Sequence, residues 1–313
     1  MAETIALIGC KGSRQEAEYR AVLSAAMPEE RIVPFRLMDE AEREATRVAI
    51  VANPDPAEVA ALPGLVWVQS LWAGVERLVN AFDRPLPIVR LVDRELARTM
   101  AEAVLAWTYY LQRDMPTYAR QQRAGVWRPH PYRKPSDLTV GLLGLGALGI
   151  AAADRLRGAG FGVAGWSRSP KSVPGIEAMH GMAALSTMLG RCDILVCLMP
   201  LTPETRGFVN ADTLAALKPG AALINFARGP IVVTDDLIAA LDRGHLAHAV
   251  LDVFDVEPLP AESPLWSHPG VTVLPHISGP TDMPSAAATV AANLRDYRRT
   301  GQPPQGIDTA RGY

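Results

Sequence analysis

Cysteine is scarce: Cys10, Cys192 and Cys197 are the three in 313 residues. An odd set without paired short spacing gives neither a disulfide framework nor a structural zinc site, and a reducing cytoplasmic setting fits it. An excess of one charge is missing too. Thirty-one Lys and Arg stand against 33 Asp and Glu, a formal net charge of −2 with a pI near 6.3. That balance offers no basic footprint for nucleic acid or an anionic membrane surface. No basic stretch leads into an apolar run at the start; Glu3 comes early, and Ile5–Ile8 reads as a first strand rather than a leader. No run reaches the ~20 apolar residues of a membrane span. The longest weakly polar stretch, Leu138–Ala153, is broken by Thr139 and four glycines and belongs in a core. Internal repeats and low-complexity tracts are also lacking.

What is present is apolar: 49% of the residues, in a chain longer than a single core usually organises. Two domains are expected. Short β-branched runs at Ile5–Ile8, Ile32–Leu37, Val48–Ala52, Leu65–Ser70 and Ile88–Val92 flank helical patterns such as Arg14–Met27. One long helix is expected from about Arg98 to Arg123. The proline-rich Arg128–Pro135 then reads as a linker or surface strap. A second series follows at Leu138–Leu143, Val163–Trp166, Ile194–Met199, Ala222–Phe226, Ala249–Val253 and Val271–Leu274. Strands alternating with helices argue α/β architecture: two doubly wound parallel-sheet domains, a Rossmann-type nucleotide domain and a smaller flavodoxin-like substrate domain. The amphipathic Ser285–Arg299 is expected to return to the first domain. The boundaries expected are 1–98 with 281–313 for the small domain and 99–280 for the nucleotide domain, hinged over a cleft.

Gly144-Leu-Gly-Ala-Leu-Gly149 is a G-x-G-x-x-G, weak alone but here set between an apolar strand and a helix, Ala147–Arg157. Gly144 suits the tight turn, Gly146 lets backbone approach a pyrophosphate, and Gly149 allows helix and strand to pack closely. The helix N-terminus then faces the phosphates. An NAD site places an acidic residue about 20 residues on, for the ribose 2′-hydroxyl. At that place stand Ser167, Arg168, Ser169 and Lys171, with no carboxylate until Glu177. Cations and hydroxyls suit a 2′-phosphate, so NADP(H) is expected in preference to NAD(H).

Three later strands end beside chemically able residues: Arg228 in Asn225-Phe-Ala-Arg-Gly-Pro230, Glu257 in Leu251-Asp-Val-Phe-Asp-Val-Glu-Pro258, and His276 in Leu274-Pro-His-Ile-Ser-Gly279. In an open parallel sheet these ends face one crevice. A guanidinium fork can hold a carboxylate, imidazole can pass a proton near neutral pH, and a carboxylate can orient the ring. Singly, Arg228 could be a surface residue, Glu257 a turn residue and His276 a structural histidine; jointly they fit reduction of a 2-oxo acid.

These motifs, in this order, resemble the D-isomer-specific 2-hydroxyacid dehydrogenase family over nearly the whole chain. Trp166-Ser-Arg-Ser-Pro-Lys171, Ser263-Pro-Leu-Trp-Ser-His-Pro269 and the ending Gly306–Tyr313 resemble its glyoxylate/hydroxypyruvate reductase A branch. The resemblance implies NADPH-linked reduction of glyoxylate and hydroxypyruvate, with Arg228 binding substrate, His276 as acid/base and Glu257 as its partner. It also implies substrate contacts at Trp72, Ala73 and Gly74, the two backbone N–H groups forming an anion nest. Core packing is the plain alternative for Trp72. Cofactor contacts are implied at Gly144, Gly146, Ala147, Leu148, Gly149, Met199, Pro200, Thr205, Ala227, Asp252, His276 and Gly279. A homodimer through the nucleotide domain is implied, and the Arg98–Arg123 helix with Trp107, Tyr109 and Tyr110 is the expected face. Two rivals stay open: a dehydrogenase for bulkier 2-oxo acids such as phenylpyruvate, and a nucleotide-sensing regulator. Cys192 and Cys197 read as inert core thiols. His245 and His248 lack a third ligand, and no metal is expected.

Overall fold

Mostly apolar strands of two to six residues, too short for helices, assemble into two parallel sheets in a computed structural model describing residues 3–9, 12–79, 81–82 and 84–308. Cys10 and the last five residues of the Gly306–Tyr313 segment lie outside the described residues. The chain divides into two compact units, Met1–Leu96 with Thr281–Tyr313, and Ala97–Pro280.

In the first unit, β1 (Thr4–Ile8), β2 (Arg31–Pro34), β3 (Val48–Val51), β4 (Trp67–Ser70) and β5 (Ile88–Val89) form a sheet in the order β2-β1-β3-β4-β5. All its pairings are parallel, giving the flavodoxin-like arrangement. Side chains alternate across the sheet. Ile5, Leu7, Ile50 and Trp67 pack on one face with Ala287, Val290, Ala291 and Leu294 of the helix Met283–Thr300, while Ala6, Ile8, Ala49 and Val51 fill the other. That C-terminal helix is pinned to the unit through Asn293, which donates to buried Gln69 (2.8 Å), and through Arg298, which pairs with Glu30 (2.8 Å) and Glu3.

The second unit carries β6 (Thr139–Leu143), β7 (Gly162–Ser167), β8 (Glu177–His180), β9 (Ile194–Cys197), β10 (Ala221–Asn225), β11 (Leu246–Leu251) and β12 (Val271–Val273). Their order is β12-β11-β10-β9-β6-β7-β8, parallel throughout. The order reverses between β6 and β9, the point at which open α/β sheets bind ligands outside the strand C-termini.

Three expectations need correction. The long helix is two, Arg94–Gln112 and Met115–Arg123. Asp114 between them is left-handed at φ 57°, and Pro116, which cannot donate within a helix, is accommodated in the first turn of the second. Strand β2 stops at Pro34 and a 3-10 turn takes Phe35–Leu37. Strand β8, Glu-Ala-Met-His, lacks an apolar run and was not anticipated; Arg191 anchors its first residue, Glu177, with two bonds of 2.8 and 2.9 Å.

Cys192 and Cys197 are buried free thiols, each pushed up to about 12 by burial, so neither is a nucleophile. His248 of β11 is 5% exposed, and its Nε2 meets Thr272 Oγ1 at 2.8 Å. Its Nδ1 is buried without a partner among the described residues. Burial, helped by the charges of Arg120 and His268, pushes it down to about 4. The unfolded histidine binds its proton near 6.5, so between that value and about 4 the unfolded chain binds more protons than the native one. This contribution to stability is complete above pH 6.5 and is lost on acidification, by up to about 3 kcal/mol. Urea unfolding at pH 7.5 and pH 5 should show about 2 kcal/mol of that loss, reduced in His248→Gln; an equal loss in both proteins would contradict it.

Candidate active site

The glycine turn follows directly from β6. Gly144 has φ 108°, and a Cβ there would meet the Leu198 carbonyl carbon and Met199 nitrogen at 2.9 Å. At Gly149 a Cβ would lie 1.9 Å from the Gly144 carbonyl oxygen, so the helix Ala147–Gly158 packs against the turn as only glycine permits. Gly146 is different: its Cβ position is open space, and the residue caps the helix without a side-chain bond. Uncapped N–H groups beside an open glycine form a cradle that fits a pyrophosphate. Among the neighbouring residues implicated by the sequence, Met199 is buried in the core. The Thr205 hydroxyl is engaged within its own loop, donating to the Pro200 carbonyl at 2.7 Å.

Strand β7 ends at Ser167, and the basic loop begins there. Ser167 Oγ donates to the Ser169 carbonyl (2.7 Å), shaping the turn. Lys171 Nζ reaches back to the Leu145 carbonyl (2.9 Å), tying this loop to the glycine turn. Arg168 extends from it half-exposed and faces Glu204 at 3.9 Å. Two cations at the end of the strand after the glycine turn make a site able to take a doubly charged phosphate.

Arg228, Glu257 and His276 follow β10, β11 and β12, three adjacent parallel strands, so all three project from the same edge of one sheet. His276 Nδ1 and Glu257 Oε2 are 2.7 Å apart. The other carboxylate oxygen accepts from Phe254 N–H at 2.9 Å, which fixes the acid on its own loop. With the carboxylate as acceptor, Nδ1 carries the shared hydrogen and Nε2 is the ring nitrogen that Glu257 leaves unengaged. Both side chains retain solvent access, 50% for His276 and 34% for Glu257. Arg228 is half-buried, with Nη1 donating to the Ala227 carbonyl at 2.6 Å.

Residues beneath these three build their geometry. His276 is left-handed at φ 54°. Asp252, 2% exposed, accepts from the N–H groups of the next two residues, Ile277 (2.7 Å) and Ser278 (2.8 Å). Each Asp252 oxygen thus takes one N–H of this loop, and a carboxylate keeps acceptor sites beyond these two bonds. A carboxylate closing an apolar strand is itself a signal, since it cannot be buried unpaired. Asn225, 1% exposed, donates to the Arg228 carbonyl (3.0 Å) and accepts from Ala227 N–H (3.2 Å), bracing the arginine. Gly229 is pressed on backbone: a Cβ would meet the Phe254 carbonyl carbon at 2.0 Å, so the Arg228 and Glu257 loops touch through a glycine.

In the first unit, Trp72 is partly buried against the core, and its backbone is held by Ser70 Oγ (3.0 Å) and Leu91 N–H (3.0 Å). Among the described residues, the N–H groups of Ala73 and Gly74 that follow donate to no backbone carbonyl. Trp107 and Tyr110, expected on an association face, pack against the core of their own unit. Tyr109 of the same helix is exposed, as are Met115, Val126, Trp127 and Tyr132 further on, with Trp127 98% exposed.

The family model described as D-isomer specific 2-hydroxyacid dehydrogenase, NAD binding domain, matches residues 105–278. Among solved structures, a D-isomer specific 2-hydroxyacid dehydrogenase from Xanthobacter autotrophicus Py2 in complex with NADPH and MES is 40% identical, with 100% of each chain covered and a TM-score of 0.92. An NADPH-dependent glyoxylate/hydroxypyruvate reductase from Sinorhizobium meliloti, in complex with NADP and sulfate, is 33% identical over 100% of both chains, with a TM-score of 0.90. A probable 2-hydroxyacid dehydrogenase from Rhizobium etli CFN 42, in complex with NADP, HEPES and L(+)-tartaric acid, is 31% identical over 100% of this chain and 99% of that one, with a TM-score of 0.89. With its glycine turn, its basic loop and its histidine–carboxylate pair at successive strand ends, the chain belongs to the D-isomer specific 2-hydroxyacid dehydrogenase family.

Proposed function

We propose that this protein reduces small 2-oxo acids, glyoxylate to glycolate and hydroxypyruvate to D-glycerate, using NADPH in preference to NADH. The observation that carries the reading is the 2.7 Å His276–Glu257 pair, set with Arg228 on three adjacent strands of the sheet that bears the glycine turn. Residues at the turn (Gly144, Gly146, Ala147, Leu148 and Gly149) would hold the pyrophosphate; Ser167, Arg168, Ser169 and Lys171 would hold the 2′-phosphate. A bound nicotinamide supplies the hydride for the substrate carbonyl carbon.

The protein's own groups supply the rest. Arg228 binds the substrate carboxylate and polarises the carbonyl through its planar fork of donors. His276 delivers the Nε2 proton to the carbonyl oxygen as it gains charge, and the product is the 2-hydroxy acid. Glu257 holds the ring by Nδ1 and balances the imidazolium before transfer. The N–H groups of Ala73 and Gly74 are assigned to a substrate carboxylate and Trp72 to a wall of the substrate pocket. The reading includes a cytoplasmic setting and a homodimer through the nucleotide domain. Its proposed contact is the Trp107, Tyr109 and Tyr110 helix face, together with the exposed Met115, Val126, Trp127 and Tyr132 of the following segment.

Loss of absorbance on oxidation of NADPH, and separately of NADH, should be followed with glyoxylate, hydroxypyruvate, pyruvate and phenylpyruvate. Rapid NADPH loss with the first two is expected. A preference for phenylpyruvate would replace the reading with that of a bulkier-substrate dehydrogenase, and silence across the panel would favour a nucleotide sensor. Arg168→Asp should raise the ratio of NADH to NADPH activity by at least about tenfold, the worth of one charge-assisted phosphate contact. An unchanged ratio would remove Arg168 from the phosphate site.

A further inference from the structure

The basic loop already has an anionic partner. Arg168 Nη1 lies 3.9 Å from Glu204 Oε2, and both side chains are more than half exposed. Glu204 is held in place. Its Oε2 accepts from Thr202 Oγ1 at 2.8 Å, and Thr202 is 5% exposed. The Thr202–Arg206 turn is closed by Thr205 N–H to Thr202 Oγ1 (3.3 Å), Thr202 N–H to Thr205 Oγ1 (2.7 Å) and Arg206 N–H to the Thr202 carbonyl (3.0 Å). The Thr202 hydroxyl bond, a bond to its own backbone and the Arg168 charge hold the Glu204 carboxyl below the usual carboxylate range, so it is an anion across neutral pH. This turn follows β9, whose C-terminal end lies beside that of β6 and its glycine turn.

We propose that Glu204 is an internal counter-ion that the cofactor's 2′-phosphate displaces from Arg168, and that it limits how strongly the site favours the phosphorylated cofactor. The inference rests on the NADP reading above. Lys171 is anchored to the Leu145 carbonyl and meets a phosphate without giving up that bond, whereas Arg168 has to exchange one anion for another. A ribose bearing a 2′-hydroxyl does not bear that cost. Glu204 therefore weakens NADPH selectively, and since both partners are exposed, its effect is modest and depends on salt.

Calorimetric titration with 2′,5′-ADP and with 5′-AMP isolates the phosphate and needs no turnover. In low salt, Glu204→Gln should tighten 2′,5′-ADP about two- to fivefold, as expected for one exposed charge pair. It should leave 5′-AMP unchanged, and the gain should fade at high ionic strength. In an Arg168→Ala background the same substitution should have no effect on 2′,5′-ADP. Glu204→Ala should repeat the gain if loss of charge is its cause. Unchanged or weaker binding of 2′,5′-ADP would overturn the proposal, weaker binding making Glu204 a positioning residue for Arg168. An equal gain for 5′-AMP, or a gain that survives without Arg168, would overturn it too. Equal affinity of the wild-type protein for the two probes would instead overturn the NADP reading, and this inference with it.

Discussion

One buried carboxylate carries the proton-transfer geometry. Asp252 directly follows β11 and accepts from the backbone N–H groups of Ile277 and Ser278 at 2.7 and 2.8 Å. Those bonds fix the turn that leaves His276 left-handed at φ 54°. Left-handed backbone costs a non-glycine residue about 1–2 kcal/mol. Two bonds to a charged acceptor contribute about 1.5–3 kcal/mol each, so the clamp outweighs the strain it imposes. Five residues further along the same strand exit, Glu257 takes the ring by Nδ1. Backbone and ring of the histidine are thus both positioned from the segment after β11.

The sheet extends this control to the arginine. Parallel pairing of β10 with β11 puts their C-terminal ends side by side. Gly229 lets the two exit loops pack backbone on backbone. Asn225, buried under the loop, satisfies its polar groups and sets where Arg228 leaves the strand. Chemistry at this edge depends on strand order and on loops a few residues long, which explains why residues far apart in sequence can serve one reaction.

Both sheets could be read in the sequence because buried parallel strands are nearly continuous apolar runs, as at Ile194–Cys197 and Leu246–Leu251. Strand β8 was illegible for the same reason, since Glu-Ala-Met-His at a sheet edge has no such run. The break at Asp114 was hidden by helical periodicity continuing through a left-handed residue. In the site, the glycine turn and the three residues at strand ends were legible because each motif stands in its own strand context. The clamp that Asp252 sets on the His276 turn leaves no trace in side-chain pattern, because both its bonds are to backbone N–H groups. Glu204 was not noticed at all: its meaning comes from Arg168, which folding brings within 3.9 Å from the far side of β8 and β9 in the sequence.

The central claim is that His276, held by Asp252 and Glu257, delivers the proton during reduction. It is tested most directly by His276→Ala, measuring NADPH binding by fluorescence titration and glyoxylate reduction in a single turnover on the same preparation. NADPH affinity should stay near that of the wild-type protein while the rate falls about 10²–10⁴-fold, the usual worth of a positioned general acid. An unchanged rate, or a loss of rate matched by an equal loss of NADPH affinity, would contradict the claim.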